Sequence, residues 1–101
     1  MQHVIGIDFG TTNSYVAVRE HHAPSVIATR EGGTALPSYV SVAQNGRRLV
    51  GELARGMALA NAENTVYGIK RLLGRPVGSM VVKNISRRVP FRLARGTGDE
   101  V

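Results

Sequence analysis

The residues best suited to chemistry lie together in one short segment near the start of the chain. Residues 8–14 read DFGTTNS. Asp8 supplies a carboxylate that can hold a divalent cation, and Gly10 lets a ligand approach the backbone closely. The residues after the glycine supply hydroxyls, an amide and backbone N–H groups, which can hold phosphate oxygens; they are Thr11, Thr12, Asn13 and Ser14. The segment therefore predicts a site for phosphate and its metal ion, which fits a nucleotide.

Two strands are predicted to position this segment as the turn of a hairpin. β-Branched and aromatic residues favour strands. They are Val4, Ile5 and Ile7 before the turn and Tyr15, Val16 and Val18 after it. Because Asp8 lies in an otherwise apolar run, we expect its carboxylate to be buried and to need a cation, a metal ion or several donors as compensation.

Two common phosphate-binding motifs do not describe the segment. It is neither G-x-x-x-x-G-K-[ST] nor G-x-G-x-x-G followed by a helix, because a predicted strand follows Gly10. The phosphate site is therefore expected in a hairpin turn and not at the start of a helix.

The following third of the chain predicts short strands and turns. A strand is expected at 25–28, and a second hairpin is expected from Tyr39–Val42 and Arg47–Val50, which flank the strong turn signal Asn45-Gly46. From Gly51 the apolar residues recur at helical spacing, which predicts a helix up to about Asn61.

The remaining residues predict one more helix and two more strands. Asn64 or Thr65 is expected to cap a helix that runs to Gly74 and carries Lys70. Strands are expected at 80–82 and at 89–93, the second with Pro90 at an edge or a start. From spacing alone, Lys70 is expected to be an ordinary solvated lysine.

Length and composition fit one small domain or a fragment of a larger one, since the chain has 101 residues, 43% of them hydrophobic. The absence of cysteine excludes disulfides and cysteine metal sites. No signal segment or membrane-length apolar run is present in the sequence, so a cytoplasmic protein without a membrane partner is expected.

Positive charge is concentrated in the second half of the chain. Thirteen Lys and Arg against seven Asp and Glu give a net charge of +6, and no acid occurs from Lys70 to Arg95. A nucleic-acid partner is not expected, because no aromatic interleaving or known motif accompanies the charge. A solvated face, or a surface that meets an acidic part of a longer chain, is expected. The adjacent His21 and His22 are expected to lie in a loop and not in a metal site.

Residues 5–14, IGIDFGTTNS, resemble the first phosphate motif of the DnaK-like, seventy-kilodalton heat-shock chaperone family. The hairpin is shared by actins, sugar kinases and these chaperones, whereas residues 63–75, ENTVYGIKRLLGR, make the resemblance specific. The resemblance covers nearly the whole chain. It is also carried by Gly51-Glu52 with the following helix, Leu36-Pro37-Ser38 and Val89-Pro90-Phe91.

The resemblance implies an α/β, actin-like ATPase (ribonuclease H-like) fold, of which this chain would be the N-terminal portion of the first lobe, with hairpins and short helices. It implies that Asp8 holds Mg²⁺ through water. Gly10, Thr11, Thr12 and Asn13 would wrap the β- and γ-phosphates of ATP or ADP. Lys70 would reach the γ-phosphate, orient the attacking water and act with Thr11 in hydrolysis.

The resemblance further implies an ATP-dependent chaperone of the stress response that assists protein folding. Its partners would be unfolded peptides, a J-domain co-chaperone and a nucleotide-exchange factor. The family's second phosphate loop, adenosine-contacting motif and peptide-binding domain do not occur in the 101 residues. Residues 1–101 are therefore expected to be a partial nucleotide-binding domain that is incomplete for hydrolysis on its own.

Two alternatives stay open at this point. Another actin-like ATPase, such as a sugar kinase, would share the hairpin, although the segment around Lys70 argues against it. A non-enzymatic module could instead use the basic half to bind an acidic partner, and its binding would depend steeply on salt.

Overall fold

The predicted N-terminal hairpin is present in the computed structural model, which describes residues 3–101. Strands β1 (Val4–Phe9) and β2 (Asn13–Glu20) pair antiparallel. Strand β3 (Ala23–Val26) pairs with β2 after a turn at His21-His22, and β4 (Leu36–Pro37) pairs with the first residues of β2. The strand predicted at 25–28 thus begins and ends two residues earlier, and its edge position tolerates Pro24.

A second antiparallel sheet has the strand order β6-β5-β7. Its strands are β5 (Tyr39–Val42), β6 (Arg48–Val50) and β7 (Thr65–Tyr67). The predicted hairpin of β5 and β6 is confirmed, and its turn has the expected chemistry: Gly46 adopts a φ of 83°, and the Asn45 side chain accepts a hydrogen bond from the backbone N–H of Arg47 at 2.9 Å.

The helix predicted from Asn64 or Thr65 to Gly74 is wrong. Thr65, Val66 and Tyr67 form β7 and pair with β5, so the β-branched and aromatic preference of these residues prevails. Gly68 then takes a left-handed conformation with a φ of 66°, which separates the strand from a 3₁₀ helix at Ile69–Arg71. Lys70 therefore lies in a single 3₁₀ turn.

The helix predicted from Gly51 to Asn61 is confirmed only in its first part. Helix α1 spans Glu52–Gly56, and turns follow until a 3₁₀ helix at Ala62–Asn64. Beyond Gly56, the N–H of Ala58 bonds the carbonyl of Arg55 in the tighter 3₁₀ pattern. The low helix propensity of glycine is consistent with an early end of the regular helix.

The two strands predicted near the C-terminal end are also wrong. Residues 80–82 open helix α2 (Met80–Ser86), whose N-terminus is capped by Ser79: its hydroxyl accepts a hydrogen bond from the N–H of Val82 at 3.3 Å. Residues 89–93 do alternate, since Phe91 is buried between exposed neighbours, but they pair with no strand of the described chain. Phe91 instead packs edge-on against Tyr67, with ring centroids 5.5 Å apart.

The buried hydrophobic core of residues 3–101 is small. It comprises Ala54, Leu72, Val82 and Phe91. The radius of gyration is 16.1 Å, above the roughly 13 Å expected for a compact chain of 100 residues. No helix formed by residues 3–101 has the length and apolarity that crossing a bilayer requires.

The expected burial of Asp8 is wrong. All six residues of β1 are exposed, and Ile7 is 71% exposed. β1 pairs with β2 alone and no described element covers its faces. Asp8 is therefore exposed to solvent and does not need the compensating partner that burial would require.

A closed ring of hydrogen bonds fixes the second sheet to the turns that follow α1. The Asn61 side chain donates to the Ser41 hydroxyl at 3.1 Å, and the Ser41 and Thr65 hydroxyls lie 2.8 Å apart. The Thr65 hydroxyl donates to the Asn61 carbonyl at 2.8 Å. Ser41 and Thr65 are fully buried, so the ring satisfies polar groups that water cannot reach.

We expect Thr65→Val to lower the free energy of unfolding by about 1–3 kcal/mol, because valine keeps the shape but breaks the ring and leaves Ser41 with one partner fewer. Urea denaturation followed by circular dichroism measures the change. Thr97→Val, in the exposed turn at 97–98, is the control and should stay within about 0.5 kcal/mol of the parent chain. Equal losses in the two variants would show that the ring does not stabilise the sheet.

Candidate phosphate-binding site

The predicted phosphate loop is a tight turn at Gly10, Thr11 and Thr12 between β1 and β2. The backbone folds back on itself so closely that a Cβ atom at position 10 would collide with the backbone oxygen of Asn13. Only glycine fits this close approach, so any side chain at position 10 would open the turn.

Ser38 holds the loop from the side. Its hydroxyl donates to the Gly10 carbonyl at 2.8 Å and lies 2.9 Å from the Ser14 hydroxyl, and its N–H donates to the Thr12 carbonyl at 2.8 Å. Two loop carbonyls are thus turned toward Ser38. Pairing of β4 with β2 places Pro37 opposite Asn13 and brings Ser38 to this position.

The hydrogen-bond donors of the loop remain available. Within residues 3–101, the backbone N–H groups of Thr11 and Thr12 make no backbone hydrogen bond, and their hydroxyls make none to another side chain or carbonyl. Thr12 is exposed, and Gly10, Thr11 and Asn13 are partly exposed. Successive free N–H groups beside hydroxyls form the kind of concave surface that binds phosphate oxygens.

Asp8 lies two residues before Gly10, opposite Tyr15 in the β1–β2 ladder. Its carboxylate is exposed and makes no ion pair within residues 3–101. No group of three or more potential metal ligands occurs among these residues. Asp8 could therefore supply a single carboxylate to a hydrated Mg²⁺, an ion that keeps several waters and takes further oxygens from bound phosphates.

Lys70 is connected to the loop through the second sheet. β5 begins directly after Ser38, Tyr39 pairs with Tyr67 of β7, and Lys70 follows three residues later. The rings of Tyr39 and Tyr67 stack with centroids 4.9 Å apart. A cavity of about 350 Å³ is lined by both Gly10 and Ile69, the neighbour of Lys70. The loop and the segment that carries Lys70 thus border one space, although Lys70 itself does not line it.

The Lys70 side chain itself is exposed and makes no hydrogen bond to the loop. The structure therefore brings the backbone segments of the predicted site together, while the roles of the individual side chains stay predictions. Ser38 is the residue that sequence reasoning missed. Nothing in the sequence distinguishes this serine, because its role depends on the pairing of β4 with β2.

The model of the Hsp70 protein family matches residues 4–101 of the chain. The match includes every predicted site residue, from Asp8 to Lys70. This family has the actin-like ATPase fold, and the mixed α/β structure with antiparallel hairpins and short helices agrees with the predicted fold class.

We expect Ser38→Ala to loosen the loop, because it removes the donor to the Gly10 carbonyl and the partner of Ser14. The free energy of unfolding should fall by about 0.5–1.5 kcal/mol per lost hydrogen bond. The amide resonances of Thr11 and Thr12 should shift in a ¹⁵N–¹H spectrum. Ser25→Ala, on the exposed edge strand β3, is the matched control. Unchanged Thr11 and Thr12 resonances in Ser38→Ala would contradict the bracing role.

Proposed function

The chain belongs to the Hsp70 family, and we propose that it supplies one wall of the ATP-binding site of an ATP-dependent chaperone. Proteins of this family act as chaperones and bind ATP or ADP with Mg²⁺. For this chain, the proposal rests on the hydrogen bonding of the loop after β1. Its Gly10 and Thr12 carbonyls are taken by Ser38, whereas the N–H groups and hydroxyls of Thr11 and Thr12 have no partner in the described chain.

The loop residues would hold the β- and γ-phosphates. Backbone N–H groups and hydroxyls of Thr11 and Thr12 donate hydrogen bonds to phosphate oxygens, which are strong because the acceptor is charged. Gly10 and Asn13 shape the turn that positions these donors. The loop is held before a ligand arrives, so little reorganisation opposes binding.

Asp8 and Lys70 would supply the charges. Bound Mg²⁺ would neutralise phosphate charge as hydrolysis proceeds. Asp8 would accept hydrogen bonds from water bound to that ion, and its exposed position leaves room for those waters. Lys70 places a cation at the γ-phosphate and, with Thr11, orients the attacking water. Phosphoryl transfer depends mainly on such positioning and charge stabilisation.

We further propose that residues 1–101 form part of a larger nucleotide-binding domain. The exposed apolar side chains of β1 support this, since a strand with uncovered faces is the kind of surface that a domain buries. One wall leaves phosphate and metal under-coordinated, so the 101 residues alone should show little or no ATP turnover. The whole protein would lie in the cytoplasm and use ATP to regulate its affinity for unfolded peptides. A J-domain co-chaperone and a nucleotide-exchange factor would be its partners.

The decisive variants are Asp8→Asn and Lys70→Ala, with Lys83→Ala as the control lysine on α2. We expect the parent chain to bind ATP more tightly with Mg²⁺ than without it in a calorimetric titration. Asp8→Asn should abolish that preference. Lys70→Ala should weaken binding about tenfold, equivalent to about 1.4 kcal/mol, and Lys83→Ala should leave it unchanged.

The opposite pattern would favour the basic-surface alternative, in which the exposed cations bind an acidic partner. All eight Lys and Arg side chains from Lys70 to Arg95 are exposed. If they carry the function, ATP binding should fall steeply with salt, ignore Asp8→Asn and weaken in Lys83→Ala as much as in Lys70→Ala.

A further inference from the structure

A cavity of about 520 Å³ lies between the two sheets, and Ser14 is the one residue of the DFGTTNS segment among those that line it. Its walls come from β2, the segment at 27–34, β6 and α1, and include none of residues 8–13. We propose that this cavity binds an amphipathic carboxylate, a small molecule with a hydrocarbon body and one anionic head.

The apolar body of such a ligand matches the cavity walls. Ile27, Val50 and Leu53 come from three different parts of the chain and all line the cavity. They nevertheless remain 47%, 50% and 56% exposed. Large apolar side chains that converge on one space and stay exposed there gain by being covered with hydrocarbon. The volume falls within the range of about 300–1,000 Å³ that is usual for small-molecule sites.

The charge of the cavity selects an anionic head. Arg30, Arg47 and Arg48 line it, opposed by Glu31 alone. The two ion pairs found within residues 3–101, Arg55–Glu52 and Arg95–Asp99, involve none of them. The three guanidinium groups therefore have no carboxylate partner in the described chain, and guanidinium binds carboxylate through paired hydrogen bonds.

The cavity walls are held in place without a ligand. The N–H of Ile27 donates to the Val16 carbonyl at 2.7 Å, which fixes the start of the 27–34 segment to β2. The N–H of Thr29 donates to the Gly33 carbonyl at 2.6 Å, which closes the loop that carries Arg30. The N–H of Ala43 donates to the Arg47 carbonyl at 2.8 Å and fixes that arginine's backbone directly before β6.

A second copy of this chain is a poorer occupant than a small anion. Each copy carries a net charge of +6, so a partner surface would meet the three arginines with repulsion. A nucleotide is also a poorer match, because the cavity offers apolar side chains where a triphosphate needs a row of backbone donors.

The proposal is tested with decanoate as the probe, at submicellar concentration, on the ¹⁵N-labelled 101-residue chain. Three controls separate the parts of the probe. Decanol has the same hydrocarbon chain without the charge, and acetate has the charge without the long chain. Vesicles of phosphatidylglycerol that contains no decanoyl chains present anionic charge on a membrane surface. We expect saturable shifts of the Ile27, Val50 and Leu53 amides with decanoate, and no saturable shifts with the other three.

Two pairs of variants locate the binding. Leu53→Asn should weaken decanoate binding about tenfold, whereas Leu59→Asn should not, because Leu59 is 97% exposed and does not line the cavity. Arg47→Gln with Arg48→Gln should weaken binding as strongly, whereas Arg87→Gln with Arg88→Gln on the basic half should not. Circular dichroism checks that each variant folds. If Leu53→Asn does not fold, the arginine variants still test the proposal, because the substituted arginines are exposed.

Three results would overturn the proposal. Decanol binding as tightly as decanoate would show that the arginines do not select the head. Equal losses in Leu53→Asn and Leu59→Asn would show adsorption to exposed apolar surface. Shifts that appear only with vesicles would show a membrane surface and not a cavity for a free carboxylate.

Discussion

The hydrogen bonds made by Ser38 are the constraint on which the candidate site depends. The turn after β1 is short and rich in polar backbone, and its Gly10 and Thr12 carbonyls need donors. Ser38 supplies both from its side chain and its own N–H. Because the carbonyls are taken, the N–H groups of Thr11 and Thr12 are left for an anionic ligand. By binding these two carbonyls, Ser38 leaves the turn with a surface of free hydrogen-bond donors.

Ser38 also couples the two sheets. It lies between β4, which pairs with β2, and β5, which is the centre of the second sheet. β5 pairs with β7, and the ring of hydrogen bonds among Ser41, Asn61 and Thr65 locks this pairing to the turns after α1. Lys70 lies three residues after the end of β7. The lysine is distant from the loop in sequence, and its backbone position relative to Gly10 is set by this chain of pairings.

The sequence was most informative where local chemistry decides structure. The DFGTTNS turn, the Asn45-Gly46 hairpin and the strands around them follow from residue preferences within a few positions. It was misleading where a distant partner decides. Thr65–Tyr67, whose β-branched and aromatic residues favour a strand, became one because β5 was available to pair with them. Met80–Val82 is a different case, because its helix is capped by the neighbouring Ser79, a local signal that the strand prediction did not use. Ser38 could not be identified without knowing that β4 carries it to Gly10. The exposure of Asp8 could not be foreseen either, since it depends on what covers β1.

We propose that the loop at Gly10–Asn13 binds the phosphates of a magnesium nucleotide. The most direct measurement is a ¹⁵N–¹H titration of the 101-residue chain with Mg²⁺-ATP at constant ionic strength. We expect saturable shifts at Thr11, Thr12 and Asn13, with a further shift at Lys70, that diminish when Mg²⁺ is withdrawn. Shifts confined to the basic residues of α2 and the segment after it, with the loop resonances unmoved, would contradict it.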